Sequence, residues 1–198
     1  MSGAIWQQLP SSVASDCLDR SGAMDWRIRL LSGRRLVGPA FTVRTVAGDS
    51  ATIHRALREV PADHVLVVSA EGGTDRAVWG AVLTEAARRA QLIGAVIDGL
   101  VRDLAQIRAS GFPLFARGSS PAGPHKDGHG TFGEVVRCGG VVVSPGDLIV
   151  GDLDGVVVVP AARVDGVSRD AVERLRAEET WIERIRSGET SADILGIE

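Results

Sequence analysis

The apolar positions of this chain follow two rhythms that alternate along its middle third. Residues 64–70, HVLVVSA, and 92–97, LIGAVI, are unbroken apolar runs of strand length, and Phe112 to Ala116 is a third. Such runs suit strands covered on both faces, as in a parallel sheet. Between them the apolar residues fall three and four apart. An alanine-rich stretch follows Gly72-Gly73 and runs to about Gln91, and DGLVRD (98–103) opens another that ends near Ser110. That spacing predicts helices. The resulting order is that of βαβ units. Upstream, Phe41 to Val46 alternates within a strand predicted over 36–46. Residues 50–59 predict a helix. So do residues 9–20, capped by Ser11 or Ser12, with Val13, Cys17 and Leu18 on one side.

From residue 133 the rhythm changes. EVVRC, GVVVS, DLIVG and GVVVVP follow one another, separated by Gly-Gly, Pro-Gly-Asp and Asp-Leu-Asp-Gly. These turn signals predict antiparallel strands. Residues 161–187 predict one long amphipathic helix, striped by Val164, Val167, Ala171, Leu175, Ile182 and Ile185. The residues after it, with Gly188 and Gly196, predict a loosely held tail. The expected fold is a single α/β domain over 1–198, with a mixed sheet and a C-terminal amphipathic helix.

Composition narrows the function. The net charge is −3 and the pI about 5.8, so no basic field is available to hold nucleic acid. Aromatics are 4% of the chain, too few for a base-stacking platform. No apolar run reaches a membrane span, and MSGAIWQQLP lacks the features of a signal peptide, so a cytoplasmic location is expected. Cys17 and Cys138 form no CxxC pair and read as reduced packing residues. Glycine is high, 24 of 198 residues, which points to tight turns and to places where backbone comes close to something.

Two strand ends carry candidate chemistry, because ligands of open α/β sheets gather there. After HVLVVSA comes Glu71-Gly72-Gly73-Thr74-Asp75, and a second break follows at Gly80. Gly72 and Gly73 either turn the chain or open it to a ligand. If the helix proper begins at Gly80, the free N–H groups of Gly80, Ala81, Val82 and Leu83 form an anion-binding edge. After the second strand, Arg102 and Asp103 place a guanidinium fork beside a carboxylate suited to a hard divalent cation. The same pair could also be an ion pair capping a helix. Asp98 reads as a structural residue bonding a tight turn at Gly99. Glu178 falls on the apolar stripe of the last helix, where a carboxylate either snorkels at the rim or reaches a pocket in the same or a neighbouring subunit.

The remaining signals are weaker. His125 and His129 lie in a loop whose Pro124, Gly128 and Gly130 forbid a shared helical face, and His54 reads as a residue of a surface helix. The sole lysine, Lys126, lies in the same loop, which disfavours imine chemistry and favours a metal-dependent mechanism. No GxGxxG follows either strand, and no GxxxxGK[ST], nucleophile elbow or HExxH occurs.

Four blocks carry a family resemblance: GPAFTVRTVAGD (38–49), AVWGAVLTEAA (77–87), LIGAVIDGLVRDLAQIRASGFPLFARGSSP (92–121) and GGVVVSPGDLIVGDLDGVVVVP (139–160). In these the chain resembles the RraA-like family, which includes 4-hydroxy-4-methyl-2-oxoglutarate aldolases and RraA regulators of ribonuclease E. The resemblance implies a swivelling β/β/α domain assembled as a ring-shaped homotrimer, sometimes paired into a hexamer. It implies that Asp103 binds Mg²⁺ or Mn²⁺, and that Arg102 holds the pyruvoyl group of a small 2-oxo acid and stabilises its enolate. It further implies that the backbone of Gly80, Ala81, Val82 and Leu83 binds the substrate carboxylate, and that Glu178 joins the site from a neighbouring subunit. The reactions implied are retro-aldol cleavage of a 4-hydroxy-2-oxo diacid and oxaloacetate decarboxylation. The aldolases carry an acidic residue 21 positions before the arginine, where this chain has Ala81; that departure leaves a non-catalytic regulator binding a ribonuclease as the alternative.

Overall fold

Parallel pairing occurs where the apolar runs predict it. The structure, a computed structural model, describes residues 3–73 and 75–197; Thr74 of the expected glycine loop lies outside them. Strands β2 (Leu36–Thr45), β3 (Val65–Ser69), β5 (Gly94–Val101) and β6 (Leu114–Ser119) lie side by side and parallel, in the order β2-β3-β5-β6. A short strand β1 (Arg29–Ser32), which the hydrophobic pattern does not reveal, closes one edge antiparallel to β6. At the other edge the first half of β2 pairs antiparallel with β10 (Leu148–Gly151), which pairs with β11 (Val156–Val159). Strand β7 (Gly130–Phe132) adds to the end of β2, and β8 (Val136–Cys138) with β9 (Val141–Val143) forms a separate hairpin. Gly139 and Gly140 turn that hairpin with φ of +55° and +81°, a pair of left-handed residues that favours glycine.

The sheet is covered on both faces. Helices α3 (Ala51–Ala56), α4 (Ala81–Arg89) and α5 (Leu104–Ser110) supply Ile53, Leu83 and Ile107 to a core with Leu66, Val68, Trp79, Ile97 and Leu114. The β8–β9 hairpin covers the opposite face, where Cys138 and Val143 meet Val65, Val67, Val96 and Phe115. A third cluster packs α1 (Gly3–Trp6), α2 (Ser11–Asp16) and the start of α6 (Val164–Arg186) on β10 and β11. Val167 and Ala171 of the predicted stripe are buried there, whereas Ile182 and Ile185 are about half exposed.

Several expectations are corrected. Ser11 does not cap its helix: its N–H and hydroxyl both donate to Asp152, tying α2 to the β10–β11 turn. The alanine-rich stretch does not run as one helix from the glycine pair, because Ala77–Trp79 forms β4, paired with β5, and the helix starts at Ala81. DGLV (98–101) continues β5 rather than opening a helix. Asp98 is therefore a buried mid-strand residue with no turn at Gly99. Its carboxylate is satisfied by the Arg117 guanidinium and by the Gly139 N–H at 2.7 Å. The tail contains a helix, α7 (Ser191–Leu195), capped by the Thr190 hydroxyl, which accepts from the Asp193 N–H.

Candidate active site at the starts of helices α4 and α5

Two strand-to-helix junctions meet here. Strand β5 overruns β3 and takes β4 as its new partner, so that β4 and β5 end together. The Arg102 N–H donates to the Trp79 carbonyl at 2.9 Å and locks the junctions in register. Gly80 is the N-cap of α4, in an extended conformation open to any residue. What it supplies is space: a Cβ there would lie 2.6 Å from Asp103 Oδ2 and 3.1 Å from Arg102 Cγ. The guanidinium is accommodated likewise at Gly123, where a Cβ would lie 2.6 Å from an Arg102 terminal nitrogen.

Asp103 is the N-cap residue of α5, yet its side chain makes no cap bond to that helix. Its Oδ2 instead accepts the Ala81 N–H at 3.1 Å, so the carboxylate sits on the N-terminus of α4. Arg102 Nε lies 3.6 Å from the same oxygen, and both side chains are more than a third exposed. An ion pair that exposed contributes at most about 1 kcal/mol. Asp103 also holds φ +60° and ψ +34°, a left-handed conformation costing about 1–2 kcal/mol for a residue with a side chain. The Ala81 N–H and the Arg102 guanidinium both favour the Asp103 carboxylate, and together they offset the cost of its backbone conformation.

Of the anion edge predicted at Gly80–Leu83, Ala81 has its amide engaged by Asp103. The N–H groups of Val82 and Leu83 belong to the first turn of α4 and have no intrahelical acceptor. Both residues line a cavity of about 70 Å³ together with Gly80, Arg102 and Asp103. A more open cleft of about 280 Å³, lined by Arg102, Asp103, Ser119 and Ser120, lies against the same pair.

The cavity has walls that sequence reasoning missed. Ser50 and His54 come from the start of α3, and Pro124 and Lys126 from the loop after β6. His54, expected on a surface helix, is half-buried; burial, and then the Lys126 charge, hold its imidazole below the ordinary value. Lys126, set aside as a loop residue, faces the same cavity. Lys126 lies in a Gly/Pro-rich segment that can fold back, but nothing in the spacing says where it folds, and nothing local marks His54.

Other candidates stay apart. Glu178 bonds Arg174 at 2.9 Å, and Arg174 also holds Asp16, so these residues tie α6 to α2. Glu178 is not among the residues lining either cavity at Arg102 within one chain. Glu85, one turn beyond Ala81, is exposed and paired with Arg88. Glu71 and Gly72 line a different cavity with Arg44 and Arg117. Among the described residues no three His, Cys, Asp or Glu side chains cluster as a metal cage, and no helix is long and apolar enough to cross a membrane.

A mixed sheet with a hairpin on one face, and an Arg-Asp pair beside a helix N-terminus, define a mixed α/β protein with a candidate site at the starts of α4 and α5. The family follows from comparison. A family model described as Aldolase/RraA matches residues 11–158, and the chain belongs to the RraA-like family. A Halalkalibacterium halodurans protein, provisionally named a 4-hydroxy-4-methyl-2-oxoglutarate aldolase, is 35% identical over 175 residues, covering 88% of this chain and 83% of that one. The structure of an uncharacterised protein from Pseudomonas syringae pv. tomato superposes with a TM-score of 0.88 at 30% identity, covering all of this chain and 93% of that one. Streptomyces coelicolor RraAS2, described as an unusual member of the RNase ES inhibitor RraA family, superposes with a TM-score of 0.80 at 28% identity, covering 90% and 95%.

Proposed function

We propose that this protein is a divalent-metal-dependent pyruvate lyase, acting by retro-aldol cleavage of a 4-hydroxy-2-oxo diacid or by decarboxylation of oxaloacetate. The observation that carries the reading is the Arg102–Asp103 pair, which lines one small cavity together with Val82 and Leu83 of the first turn of α4, whose N–H groups have no intrahelical acceptor. The aldolase name of the Halalkalibacterium relative supports it.

In this reading the substrate carboxylate sits on the Val82 and Leu83 N–H groups, where the helix N-terminus favours an anion. The Arg102 guanidinium donates to the 2-oxo oxygen and strengthens that bond as the oxygen gains charge. In decarboxylation the C3–C4 bond breaks, its electrons form the C2–C3 enolate, carbon dioxide leaves, and C3 is then protonated to give pyruvate. In the retro-aldol the 4-hydroxyl gives its proton to solvent or a base, its oxygen forms a carbonyl at C4 as the same C3–C4 bond breaks, and protonation of the enolate at C3 gives pyruvate and a second oxo acid. Asp103 is the residue that would hold Mg²⁺ or Mn²⁺. Its Oδ1 makes no hydrogen bond among the described residues, and one carboxylate oxygen fits an ion that keeps its waters. The cation would supply Lewis-acid polarisation of the keto acid. Glu178 enters only if a homotrimer or hexamer brings α6 of another copy to the cavity.

The test is pyruvate release from oxaloacetate and from 4-hydroxy-4-methyl-2-oxoglutarate, with and without Mg²⁺ or Mn²⁺. Metal-dependent release that Asp103→Ala abolishes is expected. Release independent of metal, or unchanged in that variant, rejects the reading. A second reading, favoured by Ala81 and by the likeness to RraAS2, is a regulator that docks on a ribonuclease. It predicts co-purification with a ribonuclease and inhibition of it.

A further inference from the structure

Lys126 and His54 reach the cavity on two segments that have little structure of their own: a loop rich in Gly and Pro, and a helix of six residues. One buried side chain holds both. Asp49 is 3% exposed. Its Oδ1 accepts the Ala51 N–H at 2.7 Å, at the start of α3, and its Oδ2 accepts the N–H groups of Asp127 and Gly128 at 3.1 and 2.8 Å, directly after Lys126. The backbone around it closes the seam: Ser50 N–H donates to the His125 carbonyl, and His125 N–H to the Gly48 carbonyl. Gly128 packs so tightly on Asp49 that a Cβ there would lie 2.6 Å from its Cγ.

We propose that Asp49 is a positioning residue for the candidate active site, which fixes the Lys126 loop against the start of α3 so that Lys126 forms part of the cavity wall. It touches neither cavity nor substrate; it acts through the loop. Three N–H donors converge on one carboxylate, and an amide of the same shape can satisfy only one side of the arrangement. In Asp49→Asn, an NH₂ replaces an acceptor in front of one set of donors, and the loop or the helix start must let go. The link to substrate rests on the proposed function; the link to the loop does not.

The experiment exploits Lys126 being the chain's sole lysine. Its reaction with an amine-acetylating reagent, read by mass spectrometry of the peptide that carries it, reports the position of that side chain alone. Wild type, Asp49→Asn, Lys126→Ala and the double variant are compared for acetylation where a lysine remains, for amide hydrogen exchange at Asp127 and Gly128, and for binding of oxalate with Mg²⁺. Asp49→Asn is expected to raise acetylation and both exchange rates at least about tenfold, and to weaken oxalate binding about tenfold or more. The double variant is expected to bind oxalate no worse than Lys126→Ala, since both changes remove the same wall. Gly128→Ala, which leaves Asp49 intact and displaces the loop, is expected to reproduce the labelling and binding changes, and decides the matter if Asp49→Asn fails to fold. Unchanged acetylation and exchange overturn the proposal. So do additive losses in the double variant, which would make the two residues independent. If wild type binds no oxalate, the pyruvate reading fails, and the acetylation and exchange results still decide whether Asp49 places the loop.

Discussion

Gly80→Ala isolates geometry from stability. The added Cβ would meet Asp103 Oδ2 at 2.6 Å, and ordinary contact begins near 3.4 Å, so the carboxylate must retreat by about 0.8 Å. That retreat lengthens the 3.1 Å bond from the Ala81 N–H past useful range and shifts Arg102, whose Cγ would lie 3.1 Å from the new methyl. A hydrogen bond to a charged group contributes about 1.5–3 kcal/mol when buried. Here Asp103 is 37% exposed, water replaces much of the loss, and about 1 kcal/mol is the expected cost. Alanine returns about 0.4–1 kcal/mol by restricting the unfolded chain, because the extended φ of −160° strains no side chain. Stability should therefore change by less than about 1 kcal/mol, a Tm shift within roughly 4 °C for a chain of this size. Displacing a reacting group by nearly 1 Å costs about 10²-fold in rate. Calorimetry and a pyruvate-release assay, with oxalate binding as a check independent of turnover, read the two effects apart. A variant with full turnover and full oxalate affinity would refute the placement of Asp103 and Arg102. A variant destabilised by more than about 3 kcal/mol would show the pair to be structural.

Other expectations follow from the buried groups. Asp98→Ala leaves the Arg117 guanidinium partly unpaired and the Gly139 N–H without its acceptor; a loss of about 3 kcal/mol is expected in urea unfolding, and a loss under 1 kcal/mol would contradict the network. Burial raises the Asp49 pKa, but the N–H groups of Ala51, Gly128 and Asp127 outweigh it and leave the folded value below the ordinary 3.8. Stability from Asp49 is therefore complete above that value and lost as pH falls through the lower folded one. The stability gap between wild type and Asp49→Asn should be steady between about pH 5 and 7 and narrow below 3.8; a gap that widens on acidification would reverse the sign. Burial also pushes the Cys138 thiol far up, and burial with Asp170 and Asp16 raises Cys17. A thiol reagent at neutral pH should modify partly buried Cys17 slowly and Cys138 only on unfolding, as mass spectrometry of timed samples would show.

The sheet was legible where burial dictates composition. HVLVVSA and LIGAVI suit covered strands, and GVVVVP after Asp-Leu-Asp-Gly suits the return arm of a turn, as the structure has them. The failures share one cause, which is tertiary pairing overriding local pattern. Ala77-Val78-Trp79 has the composition of a helix interior as much as of a strand, and becomes β4 because β5 offers a free edge beyond β3. Asp98-Gly99 has the chemistry of a turn, and stays extended because Arg117 and Gly139 supply the carboxylate with partners from distant segments. The same holds at the site. Arg102, Asp103 and the α4 start are contiguous in sequence with the strands that place them, so spacing reveals them. Lys126 is brought to the start of α3, and so to His54, by the N–H groups of Asp127 and Gly128, which bond Asp49, 78 and 79 residues away along the chain, and no local pattern encodes that closure.

Ala81 divides the two reactions that the proposed function joins. The described residues of the cavity carry the cations Arg102 and Lys126 against the single carboxylate Asp103, so the site is locally positive in a chain of net charge −3. A positive pocket favours binding a dianion and stabilising an enolate. It does not favour taking a proton from a hydroxyl. Decarboxylation of oxaloacetate needs no base before the C3–C4 bond breaks, whereas the retro-aldol must first deprotonate the 4-hydroxyl. The family's aldolases, which this chain resembles, place an acidic residue where it has Ala81. His54 is a weak substitute, since burial and Lys126 hold its basicity below that of an ordinary imidazole. General-base catalysis is worth about 10²–10⁴-fold, so oxaloacetate decarboxylation should exceed retro-aldol cleavage by at least about 10² in kcat/KM. Ala81→Asp should narrow that ratio by raising the retro-aldol rate. Position 81 opens α4, where an acidic side chain is favoured by the helix N-terminus, so the variant should fold. Equal rates in the wild type, or a ratio unmoved by Ala81→Asp, would show that the proton is handled elsewhere, with Glu178 of a neighbouring copy the first residue to replace.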